Sequence, residues 1–281
     1  MKKIIYTLTA SLLLFACGGG AEETTETTTN TDTDTTLEAE MQEEDLLAMN
    51  DVDPRTYGGE KDANQAFIDE IYPVADQAEN NLLGSYVGEF GRNLINVTLF
   101  KAKDGKAEGY SVCAGNFRKI EGTFEQVGDD EYSFDMDEPG DDQYDGNFQF
   151  TLNALDETLI GEWTPFKKEG NSPKSYKLEK RIYRYDPGVG TYPEASERLL
   201  TENDVMYRSE DELSEMRNEI YARHGYSFKN KDWRYYFEGM PWYMPMGIDI
   251  RDKLTDVEVE NIELIYEYES YFEDYYDDYG R

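Results

Sequence analysis

The feature that most restricts the fold of this chain is a series of short segments between Leu83 and Tyr185 in which apolar and polar residues alternate. A period of two is typical of strands that bury one face. The predicted strands are Leu83–Phe90, Leu94–Lys101, Ala107–Ala114, Phe117–Gln126, Glu131–Met136, Gly146–Leu152, Thr158–Thr164 and Ser175–Tyr185. Asp104 and Gly105 suit the positive backbone angles of a tight hairpin turn. This pattern predicts an antiparallel all-β barrel or sandwich over residues 83–186.

The opening of this region, "LLGSYVGEF", and its repeated Gly-x-Tyr pairs resemble the lipocalin-type barrels of secreted bacterial proteins. The resemblance extends over the whole predicted β region but includes no diagnostic motif. It implies a small barrel and assigns no ligand to it. Binding of a small apolar ligand inside the barrel is therefore kept as one alternative function.

The charge of the chain excludes some partners. Its 281 residues include 61 acidic and 27 basic side chains, so the formal net charge is -34. Nucleic acids and anionic lipid headgroups are bound through basic surfaces, because their phosphates are negatively charged. The longest basic cluster is "KLEKR" at Lys177–Arg181. We therefore expect no nucleic-acid partner.

Residues 1–16 have the composition of a secretion signal, with Lys2 and Lys3 before an apolar run too short to span a bilayer. The quartet "LFAC" resembles the bacterial lipobox, which implies cleavage before Cys17 and acylation of its thiol. Each buried methylene of an acyl chain contributes about 0.8 kcal/mol, so two or three chains would anchor the protein. The alternative is an ordinary secretion signal in which Cys17 has no role.

Residues 17–61 are rich in Thr and acidic residues and poor in aromatic ones. Such a segment cannot bury a core, so it is predicted to be a disordered, extended tether. "GGGAEE" after Cys17 resembles the export signal of surface lipoproteins in the Bacteroidetes, and Asp34-Thr35-Thr36 resembles an O-glycosylation sequon of that group. The expected location is the outer membrane, on its periplasmic face or at the cell surface.

A short amphipathic helix is predicted in residues 62–82, with Phe67 and Ile71 on its apolar face and an interruption near Pro73. If Cys17 carries lipid, Cys113 is the only other cysteine, so no intramolecular disulfide is expected. Cys113 lies in an alternating stretch and is predicted to be a small buried hydrophobe rather than a reactive nucleophile.

The acidic loop Asp135–Asn147 raises the possibility of a calcium site. Counted from Asp141, however, the twelfth position is Leu152, where an EF-hand loop needs an acidic ligand. A solvated acidic hairpin is therefore favoured. One histidine without a pair of free cysteines makes no zinc cage. We expect no metal and no cofactor.

After a linker at residues 187–197, the pattern becomes helical. The predicted helices are Glu202–Tyr207, Glu210–His224, Lys231–Phe237 and Asp256–Phe272. Three start signals place Ser or Thr three residues before an acid, in "LTEND", "SEDE" and "TDVE". In the third, Leu254 and Val259 are spaced as a hydrophobic staple.

The second of these helices should draw a charged residue toward its apolar side. Arg217 shares a stripe with Leu213, Met216 and Ile220, so it needs a carboxylate or carbonyl partner. A left-handed C-cap at the following glycine would place His224, the only histidine, in the last turn near unpaired carbonyl groups. Histidine has a structural use at such a position.

The segment "EMRNEIYARHGYSFKNKDWRYYFEGMPWYMP", followed by "KLTDVEVENIELIYEYE", resembles the YARHG domain of exported bacterial proteins. The pentapeptide that names this family is Tyr221–Gly225 here. The resemblance implies an extracytoplasmic domain at residues 198–272, followed by an acidic, Tyr-rich tail at 273–281. No activity or ligand is established for this family.

Eight residues of this region are candidates for ligand binding. They are Arg217, Asn218, Glu219, Tyr221, Arg223, His224, Trp242 and Tyr243. Arginine beside aromatic rings can hold a glycan, a peptide or a carboxylate, although large aromatics are first needed to build a core. For catalysis, His224 would be the base, Glu219 its orienting partner, and Arg217 or Arg223 an anion clamp. Ser227 follows no nucleophile-elbow pattern, so no catalytic residue is assigned.

These patterns predict a multidomain, lipid-anchored protein in the envelope of a Gram-negative, Bacteroidetes-like bacterium. It contacts the membrane through Cys17. The all-β region and the small, mainly helical YARHG module are expected to form a non-catalytic binding or assembly component. Its partner would be an envelope protein, peptidoglycan or a glycan. The alternatives are a cell-wall-processing or hydrolase-like enzyme that uses His224, and a barrel that binds a small apolar ligand.

Overall fold

The computed structural model describes residues 53–56, 60–140, 144–167 and 172–275, and for 271–275 only the backbone. The predicted signal, Cys17, most of the predicted tether and residues 276–281 lie outside this range. The helices are α1 Ala63–Asp76, α2 Glu194–Glu197, α3 Glu202–Val205, α4 Glu210–Arg223, α5 Lys231–Glu238 and α6 Asp256–Tyr275. The strands are β1 Gly84–Phe90, β2 Asn93–Lys103, β3 Lys106–Cys113, β4 Asn116–Gln126, β5 Glu131–Asp137, β6 Gly146–Asn153, β7 Thr158–Pro165 and β8 Lys174–Arg181.

The eight strands form a closed antiparallel barrel in which each strand pairs with the next along the chain. Closure comes from β8, which pairs with β1 from Ser85 opposite Arg181 to Val87 opposite Glu179. The all-β prediction is therefore confirmed, as a barrel. Asp104 and Gly105 have φ angles of 53° and 74°, as the tight turn between β2 and β3 requires.

Apolar side chains fill the inside of the barrel. Its core consists of Leu82, Tyr86, Phe90, Ile95, Val97, Leu99, Ala107, Ile120, Phe134, Met136, Phe148, Phe150, Leu152, Leu159, Trp163, Tyr176 and Leu178. Phe124, Phe134 and Phe150 on three adjacent strands stack at ring distances of 5.3 and 4.7 Å. This packing disfavours the alternative in which the barrel encloses a small apolar ligand.

One outer face of the barrel is also buried. Tyr110 and Val112 point outward from β3 and pack with Ile68 of α1, while Val87 of β1 packs with Met244 and Met246. Strands β1 to β3 are therefore covered on both faces, which explains their nearly continuous runs of buried residues. The barrel and the helical region thus share a core, a contact that the sequence did not reveal.

The helical region packs around α4 and α6. Its larger core contains Leu213, Met216 and Ile220 of α4 with Ile262 and Ile265 of α6. The three start signals are observed at Thr201 with Asp204, Ser209 with Glu212, and Thr255 with Glu258. The predicted staple residues Leu254 and Val259 lie buried in the same core.

Three predicted boundaries differ from the structure. The interruption near Pro73 does not occur there, because α1 packs against the barrel and continues to Asp76 despite the hydrogen bond that proline cannot make. Strand β8 ends at Arg181 rather than Tyr185, since its partner strand β1 starts only at Gly84. The predicted linker contains helix α2, whose Ala195 is fully buried.

Polar contacts join the barrel to the helical region. On the outer face, Ser85 and Thr98 share a hydrogen bond of 2.7 Å, and Thr98 donates to Asn96 at 3.2 Å. The amide of Asn96 donates to the carbonyl oxygen of Pro245 at 3.0 Å. The backbone N–H of Gly115 donates to the Ser227 hydroxyl at 2.9 Å. These bonds satisfy polar groups that the contact removes from water.

The N-terminal segment contacts both parts. Gln65 of α1 accepts hydrogen bonds from the backbone N–H groups of Ile248 and Asp249, at 2.8 and 3.1 Å. Ahead of this helix, Arg55 forms an ion pair of 2.9 Å with Asp256 at the start of α6. Because α1 also packs on the barrel, this segment fastens the helical region to the barrel surface.

No helix within the described residues has the length and apolarity needed to cross a membrane. In the same part of the chain, no group of three His, Cys, Asp or Glu side chains could hold a metal ion. Of the predicted acidic loop, residues 141–143 lie outside the description. On its flanks, Asn147 donates to Asp135 and Asp137, and Arg118 pairs with Asp145 at 3.0 Å.

Candidate functional site

His224 caps the C-terminal end of α4, and its side chain is held by a carboxylate from α6. Gly225 follows with a φ of 73°, the left-handed conformation predicted for this position. The imidazole Nε2 lies 2.7 Å from Oε2 of Glu258, and both side chains are buried. Tyr185 stacks on the imidazole with a ring distance of 4.5 Å. The histidine therefore joins the two central helices and the segment that follows the barrel.

Glu258 accepts hydrogen bonds on both carboxylate oxygens. Oε1 accepts from the hydroxyls of Ser196 at 2.7 Å and Tyr185 at 3.0 Å. Oε2 accepts from the backbone N–H and the hydroxyl of Thr255 at 2.9 and 3.1 Å, as well as from His224. The residue that completes the capping box of α6 thus also holds the histidine.

The pKa of Glu258 lies below its usual value despite burial. Removal from water raises the pKa of a carboxyl group, because the charged form loses hydration. The hydrogen bond and charge of His224 lower the pKa, and further hydrogen bonds from Thr255 and Ser196 add to this effect. These partners outweigh burial, so Glu258 is charged at neutral pH.

Arg223 and Glu219, one turn apart on α4, form a second buried cluster. The guanidinium of Arg223 donates to the carbonyl oxygens of Val189 and Tyr192 at 2.9 and 2.8 Å, and to the Ser196 hydroxyl at 3.0 Å. Glu219 lies 3.4 Å from the guanidinium and accepts from the backbone N–H groups of residues 191 and 192. Burial raises the pKa of Glu219. Both side chains fix the segment after the barrel to α4.

Arg217 has the carboxylate partner that the sequence required. Its Nε and a terminal nitrogen bond the two oxygens of Glu269 on α6, at 2.8 and 3.2 Å. The guanidinium also lies 4.5 Å from the ring centre of Tyr266. Burial opposes the charge of Arg217, but Tyr266 and Glu269 outweigh it and raise the pKa. This pair connects α4 to α6 a few turns away from His224.

The other candidates have internal contacts as well. Asn218 donates to the carbonyl oxygen of Ser214 at 2.9 Å, one turn earlier in α4. Tyr221 packs against both apolar clusters of the helical region. Trp242 and Tyr243 belong to the smaller cluster, and the Tyr243 hydroxyl donates to the carbonyl oxygen of Tyr226 at 2.6 Å. Ligand binding by these residues stays a prediction.

The geometry changes the roles considered for catalysis. The carboxylate that orients His224 is Glu258, whereas Glu219 faces Arg223 and the backbone of residues 191 and 192. Ser227 is 2 % exposed and accepts a hydrogen bond from the barrel. No hydroxyl group in the described part of the chain is hydrogen-bonded to the imidazole. Burial also raises the pKa of the Cys113 thiol to about 12, which keeps that thiol protonated.

A cleft of about 500 Å³ opens where α1, the segment after the barrel and the helical region meet. It is lined by Ile68, Asp69, Tyr72, Pro73, Tyr183, Tyr185, His224, Met246, Asp252, Lys253 and Thr255. Of the eight candidates, His224 alone is among these lining residues. Ligand sites are often clefts of this size between structural units.

Comparison with known proteins identifies the helical region. The family model of the YARHG domain matches residues 190–270. This confirms the family predicted from the pentapeptide and its surroundings. The match starts before the predicted boundary at residue 198 and includes α2. The YARHG domain indicates an extracellular or periplasmic protein. The eight-stranded barrel before it is consistent with the lipocalin-like resemblance. No curated protein and no solved structure matches the chain.

Sequence reasoning missed the partners of His224. Ser196 lies in α2, inside the predicted linker, and Tyr185 lies at the end of the predicted last strand. A local signal existed for Glu258, since the capping box "TDVE" marked its position on α6. Nothing local indicated that the same carboxylate would meet the YARHG histidine, 34 residues earlier in the chain.

Proposed function

We propose that the protein is a lipid-anchored, extracytoplasmic component of a Gram-negative envelope that binds an envelope ligand or partner without catalysis. The barrel and the YARHG domain act in it as one body. Cys17 carries the lipid, and residues 17–52 are the main part of the tether to the membrane. The bound molecule is an envelope protein, peptidoglycan or another glycan.

The pairing of Glu258 carries the non-catalytic part of this proposal. A hydrolase that used His224 would need a nucleophile or a positioned reacting group next to the imidazole. The hydroxyls of Tyr185, Ser196 and Thr255, which surround the carboxylate that holds His224, donate to Glu258 instead. Arg223, the potential anion clamp, donates from all three guanidinium nitrogens to partners within residues 189–196.

The lipid anchor rests on the sequence before residue 18 together with the YARHG match. A charged start, a short apolar run and Cys17 agree with a lipoprotein signal, and the YARHG domain agrees with export. An acidic protein without a large basic cluster has little electrostatic attraction to anionic membranes. Acyl chains therefore supply the membrane affinity.

The anchor is tested by Cys17→Ser in the full chain, expressed in a Gram-negative host with labelled palmitate. We expect wild type to be labelled and to enter the detergent phase, and the variant to be unlabelled and to remain in the aqueous phase. Cys113→Ser is the matched control and should behave as wild type. Label that persists in Cys17→Ser, or its absence from wild type, would contradict lipidation at this residue.

The binding role is tested by sedimentation with purified peptidoglycan sacculi and with outer-membrane vesicles. The chain without its signal sequence should sediment with at least one of them and should release no soluble sugar or peptide. Failure to sediment with either preparation would contradict the binding proposal. Release of fragments that is lost in His224→Ala would favour the enzyme alternative instead.

A further inference from the structure

The hydrogen bond to Glu258 fixes the proton of the only histidine. An ionised carboxylate can only accept hydrogen bonds, so Nε2 of His224 must donate to Oε2 across the 2.7 Å that separates them. The charge of His224 that lowers the pKa of Glu258 is that of the imidazolium, in which both ring nitrogens donate. In the neutral imidazole, Nδ1 has a free lone pair and accepts. The five bonds that fix Glu258 hold this orientation in place.

The ring that carries the free nitrogen lines the cleft. Within the described residues, the imidazole of His224 makes its hydrogen bond through Nε2, to Glu258. Tyr185 covers one face of the ring. The cleft therefore contains one pre-oriented acceptor, and it favours a ligand group that donates a hydrogen bond, such as a hydroxyl or an amide.

The walls next to this acceptor are aromatic. Tyr72 of α1 and Tyr183 meet edge to face at a ring distance of 6.4 Å, and Tyr185 is 37 % exposed. The hydroxyl of Tyr72 is used by the backbone N–H of Tyr183 at 2.9 Å. The hydroxyl of Tyr183 donates to the carbonyl oxygen of Arg223 at 2.7 Å. These tyrosines thus offer ring surface rather than free hydroxyls to a ligand.

The charges at the rim cancel one another. Lys61 lies 3.2 Å from Asp69 and 2.6 Å from Asp252, and Lys253 lies 3.1 Å from Asp69. Two cations and two carboxylates therefore form one linked group, in a chain that otherwise has a large acidic excess. An ionic ligand would find no uncompensated charge in this group. The exposed atoms of the group can still donate and accept hydrogen bonds.

We infer that this cleft binds a neutral saccharide, with a face of its ring against the tyrosines and a hydroxyl or acetamido N–H donating to Nδ1 of His224. A pyranose has C–H groups on its faces and hydroxyls at its edge, which matches aromatic walls below a polar rim. This inference rests on the proposed binding function and names its ligand class.

The unique histidine makes the test direct. The chain without its signal sequence, labelled with ¹⁵N in the imidazole, is titrated with N,N′-diacetylchitobiose at pH 8. In the neutral form of the imidazole the proton should lie on Nε2, and the sugar should shift the Nδ1 signal in a saturable way. Glucuronate, which is anionic at this pH, should bind at least about tenfold more weakly, a difference of roughly 1.4 kcal/mol.

Variants of the wall and the rim show whether the signal comes from the cleft. Tyr72→Leu removes aromatic surface and should weaken binding about tenfold or more, whereas Tyr207→Leu, at a position 82 % exposed and outside the cleft, should not. Asp252→Asn, on the exposed rim, unbalances the charges while keeping a polar side chain. It should reduce the preference for the neutral sugar over glucuronate, and it tests the cleft even if Tyr72→Leu unfolds.

Three results would overturn the inference. They are an imidazole protonated at Nδ1 in the free protein, Nδ1 signals unaffected by the disaccharide, and equal binding by wild type and by both cleft variants. If the protein still sediments with sacculi or vesicles in such a case, the proposed binding function stands and only the cleft assignment fails. If sedimentation fails as well, both are contradicted.

Discussion

Replacement of Glu258 by glutamine tests the structural role of the YARHG histidine. Glu258→Gln keeps the size of the side chain but removes its charge and turns one acceptor oxygen into an N–H₂ group. In the best orientation, the amide oxygen faces His224 and Thr255, and the amide nitrogen faces Tyr185 and Ser196. The two hydroxyls must then turn away from their present acceptor.

The cost follows from the bonds that change. Hydrogen bonds to a charged group contribute about 1.5–3 kcal/mol, against about 0.5–1.5 kcal/mol for neutral ones. Three bonds become neutral and two must be rearranged, but the neutral amide avoids the cost that burial imposes on the charged carboxylate. The net loss in the free energy of unfolding is therefore expected to be about 2–4 kcal/mol. In a unit of the size of residues 42–281, each kcal/mol corresponds to a decrease of about 2–4 °C in Tm. The expected decrease is therefore roughly 4–16 °C.

The assay is thermal unfolding between pH 3 and pH 8, followed by circular dichroism. Because folding lowers the pKa of Glu258, the charged carboxylate stabilises the fold above its ordinary pKa of 4.5, and this stabilisation is lost as the pH falls through the lowered value. The difference between wild type and Glu258→Gln should thus be full at pH 7 and shrink toward pH 3. Glu260→Gln, at an exposed position on the same helix, should change little. Equal Tm values at pH 7, or a difference that does not depend on pH, would refute the assigned role.

Two further changes test the barrel and its contact with the YARHG domain. Burial raises the pKa of Glu138 to about 7, although Trp163 donates to its carboxylate, so its charge destabilises the fold increasingly as the pH rises from about 4.5 through 7. Glu138→Gln should therefore raise the free energy of unfolding by about 1–2 kcal/mol at pH 8 and by little at pH 5. The exposed control Glu125→Gln should leave the free energy of unfolding unchanged at both pH values. A lower free energy of unfolding for Glu138→Gln at pH 8 would contradict the argument. Asn96→Ala leaves the carbonyl oxygen of Pro245 without its donor and should cost about 1–3 kcal/mol. Hydrogen exchange should then quicken at residues 244–248 in this variant, and unchanged exchange there would show that the bond does not hold the two parts together.

Much of the fold was predictable because the local signals were consistent with one another. The Asp104-Gly105 turn set the register of β2 and β3, and alternation placed Ile95, Val97 and Leu99 on one face. At the other end of the chain, "TDVE" fixed the start of α6. Each of these signals depends on residues a few positions apart, where sequence spacing determines geometry.

The functional site was less predictable because it depends on distant pairs. Glu219 is one turn away from Arg223 and five residues from His224, and it was the nearest acid that could have oriented the imidazole. The observed partner, Glu258, comes from another helix and becomes available only when α4 and α6 pack together. The cleft was also hidden, because Tyr72 and Tyr183 flank the barrel at opposite ends of its sequence.

The attachment of α1 and Arg55 determines how the molecule would respond to mechanical force. Tension on the N-terminal end reaches the ion pair of Arg55 with Asp256 first, and then the bonds of Gln65 to residues 248 and 249. Only after α1 has been pulled from the barrel does the load reach β1. Because β1 pairs with both β2 and β8, early loss of this strand would open the barrel. The contacts of the N-terminal segment thus break before the barrel does when the molecule is pulled. These contacts can form again once the force is removed, while the barrel stays closed.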